Sequence, residues 1–203
     1  MLTWATCFNK FVETKKVRGL KVLLTELFLS DEKHGDDQMK GRINELSKDL
    51  GSRLLSLGAT VTVAESCTGG GLASAITETD GSSGWFSVGF VTYSDLFKHT
   101  LLNVPIKLIQ KEGAVSEAVV RCMVEGAVNI AKADYGLAVS GIAGPTGGRP
   151  NKPVGTVCFA WKSAEETGAK RLIFNGDREM VRAQAVEFSL KQLLHIVKRS
   201  NTV

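Results

Sequence analysis

The order of elements along this 203-residue chain predicts an α/β protein, a three-layer α/β/α sandwich around a mixed, mostly parallel sheet. Two observations carry that prediction. Apolar, β-branched runs alternate with segments of helical periodicity. Glycine-rich turns follow two of those runs, at the strand ends where open α/β sheets place their ligands. A third observation refines it: the last two strand-like runs adjoin with no helix between them, so at least one joint of the sheet is antiparallel.

Residues 1–38 stand apart from the rest. Lys10, Lys15, Lys16, Arg18 and Lys21 make the start basic, and residues 30–38 (SDEKHGDDQ) read as a polar linker. We expect 1–38 to be a flexible, dispensable extension and 39–203 to be the working domain. From Met39 onward, Ile43, Leu46, Leu50, Leu54 and Leu57 recur at three- and four-residue steps, the apolar stripe of a helix that stops at Gly58. Gly51 weakens that helix without breaking its stripe.

Residues 59–64 (ATVTVA) alternate as a short strand should, and the turn after them, Glu65-Ser66-Cys67-Thr68-Gly69-Gly70-Gly71, leads into a helix reaching about Thr77. Residues 79–84 (TDGSSG) form a turn, and residues 85–93 (WFSVGFVTY) a second strand. Ser94 caps a short helix carrying Lys98, Pro105 opens another, and Ser116 caps a longer one reaching about Ala133. Residues 135–142 (YGLAVSGI) read as a buried strand ending in the second Gly-rich loop, Gly141 to Pro150. Strands at about 154–161 and 170–174 and a helix at about 178–198 complete the chain.

Composition narrows the function. A hydrophobic fraction of 43% and a charged fraction of 23% are those of a soluble globular protein, and no apolar run is long enough to span a bilayer. The net charge of +4 is concentrated at the start and is not interleaved with aromatics, so nucleic acid is not an expected partner. Cys7, Cys67, Cys122 and Cys158 are too scattered for a zinc site or a disulfide framework, which points to a reducing cytoplasm and to no bound metal. With neither a dinucleotide fingerprint nor a P-loop, no cofactor is expected.

Three strand-end loops carry the chemistry: Ser66 to Gly70, Tyr93-Ser94 with Lys98, and Ser140 to Pro145. A hydroxyl and a thiol stand side by side at the first. If the loops meet, they form a pocket lined by amides and served by one lysine. By position alone either Ser66 or Cys67 is the nucleophile, and a binding protein that performs no catalysis would use the same anion-friendly loops.

The motifs AESCTGG, VTYSxxxK, GAVSE, VSGIAGPTGG with KPVGTV, and GDRExVRxQA occur in this order. Together they resemble the CinA C-terminal domain family, over about residues 40–198. That resemblance implies a three-layer fold with a mixed sheet. It also implies the activity of the stand-alone members, which deamidate nicotinamide mononucleotide to nicotinate mononucleotide and ammonia. Carried over by motif, Ser66 is the nucleophile and Lys98 the general base, with Tyr93 as an auxiliary polar group. The nucleotide would be bound by Cys67, Thr68, Gly69, Gly70, Ser140, Gly141 and Gly144, and its phosphate by Arg178 and Arg182, within a homo-oligomer. The resemblance does not extend to the pyrophosphatase-like domain of longer members, so activity on ADP-ribose is not implied.

Overall fold

Five strands form one sheet: β1 (Val61–Glu65), β2 (Phe86–Val91), β3 (Tyr135–Gly141), β4 (Thr156–Lys162) and β5 (Thr167–Ile173), in the spatial order β2-β1-β3-β4-β5. The computed structural model describes residues 18–199, with side-chain detail from Asp37 onward. Strand β1 runs parallel to β2 and β3, because a helical crossover separates each pair in sequence. The β3–β4 and β4–β5 joints are both antiparallel. The sheet is therefore mixed, but its parallel and antiparallel joints are equal in number. The loop between β3 and β4 contains no helix to carry the chain back across the sheet, so β4 turns back along β3 as β5 does along β4.

The helices are α1 (Arg18–Leu57), α2 (Gly71–Thr77), α3 (Asp95–Leu102), α4 (Ile106–Glu112), α5 (Glu117–Ala131) and α6 (Arg178–Arg199), with a 3-10 turn at Ser82–Gly84. Side-chain alternation along the strands assigns them to two faces. Val61, Val63, Leu137, Val139, Val157 and Phe159 share one core with Leu50 and Leu54 of α1, Leu72 and Ile76 of α2, and Val181 and Leu190 of α6. Ala64, Ala138, Cys158 and Ala160 point the other way, against Leu102, Val120, Met123 and Val124 of α3 and α5. The second face is built from small residues, and α5 lies close upon it: a Cβ at Gly136 would strike the Val128 side chain.

Two expectations about the first helix need correcting. Residues 30–38 are not an irregular linker; they continue α1, which runs from Arg18. Polarity alone does not interrupt a helix, and the one backbone breaker in that stretch, Gly35, costs only about 1 kcal/mol relative to Ala. Residues 1–17, with Cys7, Lys10, Lys15 and Lys16, lie outside the described residues. Gly51, in turn, is required: a Cβ there would lie 2.8 Å from the buried Trp85 indole. The helix ends as expected, with Gly58 at φ +60 in the left-handed region closing the last turn onto Leu55.

The chain divides into two compact units, Met1–Gly41 and Arg42–Val203. In the first, the described residues are helical. The second contains the sheet, both cores and the site.

Candidate active site

β1 and β3 end side by side, and Ser66, the first residue beyond β1, is held there by its N–H donating to the Val139 carbonyl at 3.0 Å. Lys98 reaches the same point from α3, whose N-cap is Ser94, with its Oγ accepting from the Phe97 N–H at 3.3 Å. Lys98 is only 1% exposed, and its Nζ lies 3.2 Å from Ser66 Oγ. The carbonyls of Thr92 and Tyr93 accept from the same nitrogen at 2.9 and 3.3 Å. A neutral amine has two N–H bonds and one lone pair. All three contacts are donations from the Lys98 nitrogen; once deprotonated, with its two N–H bonds given to the carbonyls, the amine would turn its lone pair to the serine hydroxyl.

Burial lowers the Lys98 pKa from its ordinary value. The Asp95 carboxylate, 4.0 Å away and mostly in solvent, opposes that shift. Cys67, beside the serine, is in the opposite condition. Burial pushes its thiol up to about 12, and the Glu65 carboxylate adds to the rise, which favours the protonated thiol near neutral pH.

The other residues expected at the site meet it in different ways. Tyr93 bonds Lys98 through its carbonyl, while its phenol oxygen accepts from Arg178 Nη2 at 3.3 Å. Arg178 Nη1 donates to the Gly144 carbonyl at 2.8 Å, and Arg182 Nη2 to the Thr68 carbonyl at 2.8 Å. Both arginines line a cavity of about 890 Å³ with Ala143, Pro145, Val154, Gly176, Asp177 and Glu179. Gly141 lies against Cys67: a Cβ there would sit 3.0 Å from the sulfur. Ser140 is buried beside it at the end of β3.

The amides of Gly69 and Gly70, expected at the substrate, donate within the turn itself. Gly69 N–H goes to the Ser66 carbonyl at 3.1 Å and Gly70 N–H to a Glu65 carboxylate oxygen at 3.0 Å. Like Gly70, Cys67 and Thr68 have amides without a backbone acceptor in this turn; those of Cys67 and Thr68 approach the Cys67 sulfur. Thr68 Oγ1 and Arg182 Nε are buried polar atoms without a hydrogen-bond partner, and Arg182 is one of the residues lining the cavity.

Sequence reasoning missed three contributors: Glu65, Asp95 and the Thr92 carbonyl. Glu65 left one signal, a carboxylate closing a run of strand-forming residues. A backbone carbonyl leaves none. Among the described residues, no cluster of His, Cys, Asp and Glu is suited to a metal ion, and no helix is long and apolar enough to cross a membrane.

Residues 43–197 match the family model for the CinA C-terminal domain. The chain is 50% identical over 154 residues to the nicotinamide-nucleotide amidohydrolase PncC of Pseudomonas putida, covering 76% of this chain and 96% of that relative. It is likewise 50% identical over 150 residues to the Escherichia coli (strain K12) protein of that name, covering 73% and 91%. Among solved structures, the competence damage-inducible protein A of Klebsiella pneumoniae superposes with a TM-score of 0.75 at 40% identity, covering 79% of this chain and 99% of that one. The competence/damage-inducible protein of Agrobacterium tumefaciens gives 0.75 at 36% identity, with 76% and 95% covered.

Proposed function

The chain belongs to the CinA C-terminal domain family, and from that membership we propose that it is an amidohydrolase converting nicotinamide mononucleotide to nicotinate mononucleotide and ammonia, with Ser66 as nucleophile and Lys98 as base. The observation that carries the mechanism is the buried amine of Lys98, 3.2 Å from Ser66 Oγ and anchored by two carbonyls.

In the first half-reaction, neutral Lys98 takes the Ser66 proton as Oγ attacks the carboxamide carbon. The carbonyl π electrons move onto oxygen, where the amides of Cys67 and Thr68 and those of Ser140 and Gly141 are the candidate donors. The C–N bond then breaks, its electron pair leaving with nitrogen, and the Lys98 ammonium supplies the proton that completes ammonia. In the second half, Lys98 deprotonates a water that attacks the Ser66 ester, and returns that proton to Oγ. One amide and one water give one acid and one ammonia, with no cofactor needed.

The nucleotide phosphate lies in the cavity lined by Arg178 and Arg182, where planar guanidinium groups suit its oxygens. Tyr93, bonded to Arg178, joins this wall to the base. We also assign the enzyme to the cytoplasm, which the free Cys67, Cys122 and Cys158 support, and to a homo-oligomer, which light scattering tests.

Ammonia release from nicotinamide mononucleotide decides the reading. Wild type and Cys67→Ala should turn over, and Ser66→Ala and Lys98→Ala should lose at least about 1,000-fold in kcat while binding the product normally. A Ser66→Ala enzyme that still turns over while Cys67→Ala is dead would reverse the assignment of nucleophile. No ammonia from the wild type would leave a nucleotide-binding protein.

A further inference from the structure

The last residue of β1, Glu65, is wholly buried, and its carboxylate accepts three backbone N–H bonds. One oxygen takes those of Gly70 at 3.0 Å and Leu72 at 3.1 Å, the other that of Ala73 at 2.8 Å. The turn containing Ser66, Cys67 and Thr68 is therefore closed at both ends on one residue: by the Glu65 main chain, and by its side chain gripping the start of α2. The main chain of Glu65 makes a second connection. Its carbonyl accepts the Thr92 N–H at 2.8 Å, and the Thr92 carbonyl in turn accepts from Lys98 Nζ at 2.9 Å. Nucleophile and base both hang on residue 65, one through its side chain and one through its backbone.

Resting on the Ser66–Lys98 reading above, we propose that Glu65 is the positioning residue of the site, a buried carboxylate that holds the Ser66 turn in register with Lys98. Three of its roughly four lone-pair sites accept from amides that keep their protons, which is a holding role and not that of an acid or base. Its action is geometric: a displacement of about 1 Å between reacting groups costs about 100-fold in rate. Glutamine is the sharpest probe, being of the same size. Whichever way its amide is turned, its NH2 group meets at least one of the three backbone donors where an acceptor is required.

The experiment measures kcat, KM and product binding for wild type, Glu65→Gln and Glu65→Ala, with sodium formate or sodium chloride added at equal ionic strength. We expect Glu65→Gln to lose about 100-fold in kcat with KM and product affinity changed less than about threefold. Glu65→Ala should lose as much, regain a saturable part with formate but not with chloride, and show a formate-specific rise in Tm. A kcat within about threefold of wild type in Glu65→Gln, a loss confined to KM, or a folded Glu65→Ala that formate helps no more than chloride would each overturn the proposal. If neither variant is soluble, amide exchange in the wild type decides: Gly70, Leu72 and Ala73 should be protected as core amides are, and rapid exchange there refutes the carboxylate grip. A wild type that releases no ammonia refutes the amidase reading instead, and leaves the formate-dependent Tm and the exchange pattern to judge Glu65.

Discussion

Lys98 is the residue on which the proposed mechanism turns, and its surroundings predict how activity varies with pH. The working base is the neutral amine. Burial favours that form, so kcat/KM should rise with pH along a limb whose midpoint lies below the ordinary lysine value of 10.5. Asp95 favours the charged form from 4.0 Å. Asp95→Asn should therefore move the limb to lower pH, modestly, since that carboxylate is largely solvated; a limb that stays put or moves up would show that another group titrates. Arg178 predicts a different signature. Its guanidinium lies on the proposed phosphate wall, away from the reacting carbon, so its contribution is nearly equal in ground and transition states. Arg178→Ala should raise KM by about 10–100-fold with kcat changed little, as measured by steady-state ammonia release. At this scale the sequence disclosed some of the groups that act through side chains, Ser66 and Lys98, but not the Glu65 and Asp95 carboxylates. Ser66 was legible as one of two nucleophile candidates at a strand end, and Lys98 only through its place in the ordered motifs, since either residue alone has a bland use as a helix cap or a surface charge. The Thr92 and Tyr93 carbonyls that aim the lysine were not legible, because a backbone acceptor has no letter of its own and its direction exists only after folding.

At the scale of elements, the base is only as well placed as the helix that carries it. Helix α3 packs on α5, and the contact is closest at Gly126, where a Cβ would collide with the Leu102 carbonyl at the end of α3. Gly126→Ala must therefore push α3 outward or bend it. We expect a loss of about 1–3 kcal/mol of stability, read as a lower Tm or urea midpoint. Because Lys98 lies one turn before Leu102, kcat should fall as well. Unchanged stability would mean that the two helices part at no cost. Element types were well foreshadowed by periodicity and caps: Ser94 and Ser116 both cap where their chemistry suggested. Tertiary packing was not. Gly51 sits inside a helical pattern and reads as a local weakness, yet it makes room for the Trp85 ring, as Gly126 does for the Leu102 carbonyl. Residues 30–38 misled for a related reason. Polarity marks an unburied segment, but only backbone breakers mark a non-helical one.

At the scale of the whole molecule, the question is how much of the chain the domain needs. The part of α1 from Arg42 onward is integral: Ile43, Leu46, Leu50 and Leu54 belong to the core on one face of the sheet, and Arg42 Nε pairs with Glu187 at 2.9 Å. Among the residues with side-chain detail, the members of both cores and the Ser66–Lys98 pair all lie at or beyond Ile43. We therefore expect the protein lacking residues 1–38 to fold and turn over normally. The cut falls within a helix, leaving first-turn amides without a cap, a loss of about 1 kcal/mol. For a chain of this size that is about 2–4 °C in Tm. Starting the truncated protein with Ser or Asp just before Arg42 should recover part of that shift, since either side chain can accept from the exposed amides. Thermal melts and ammonia release on the full-length and truncated proteins test this. A Tm within the expected range and unchanged kcat/KM support a dispensable extension. Insolubility, a far larger fall in Tm, or lost turnover in the soluble truncation would mean that residues 1–38 support the domain or its assembly.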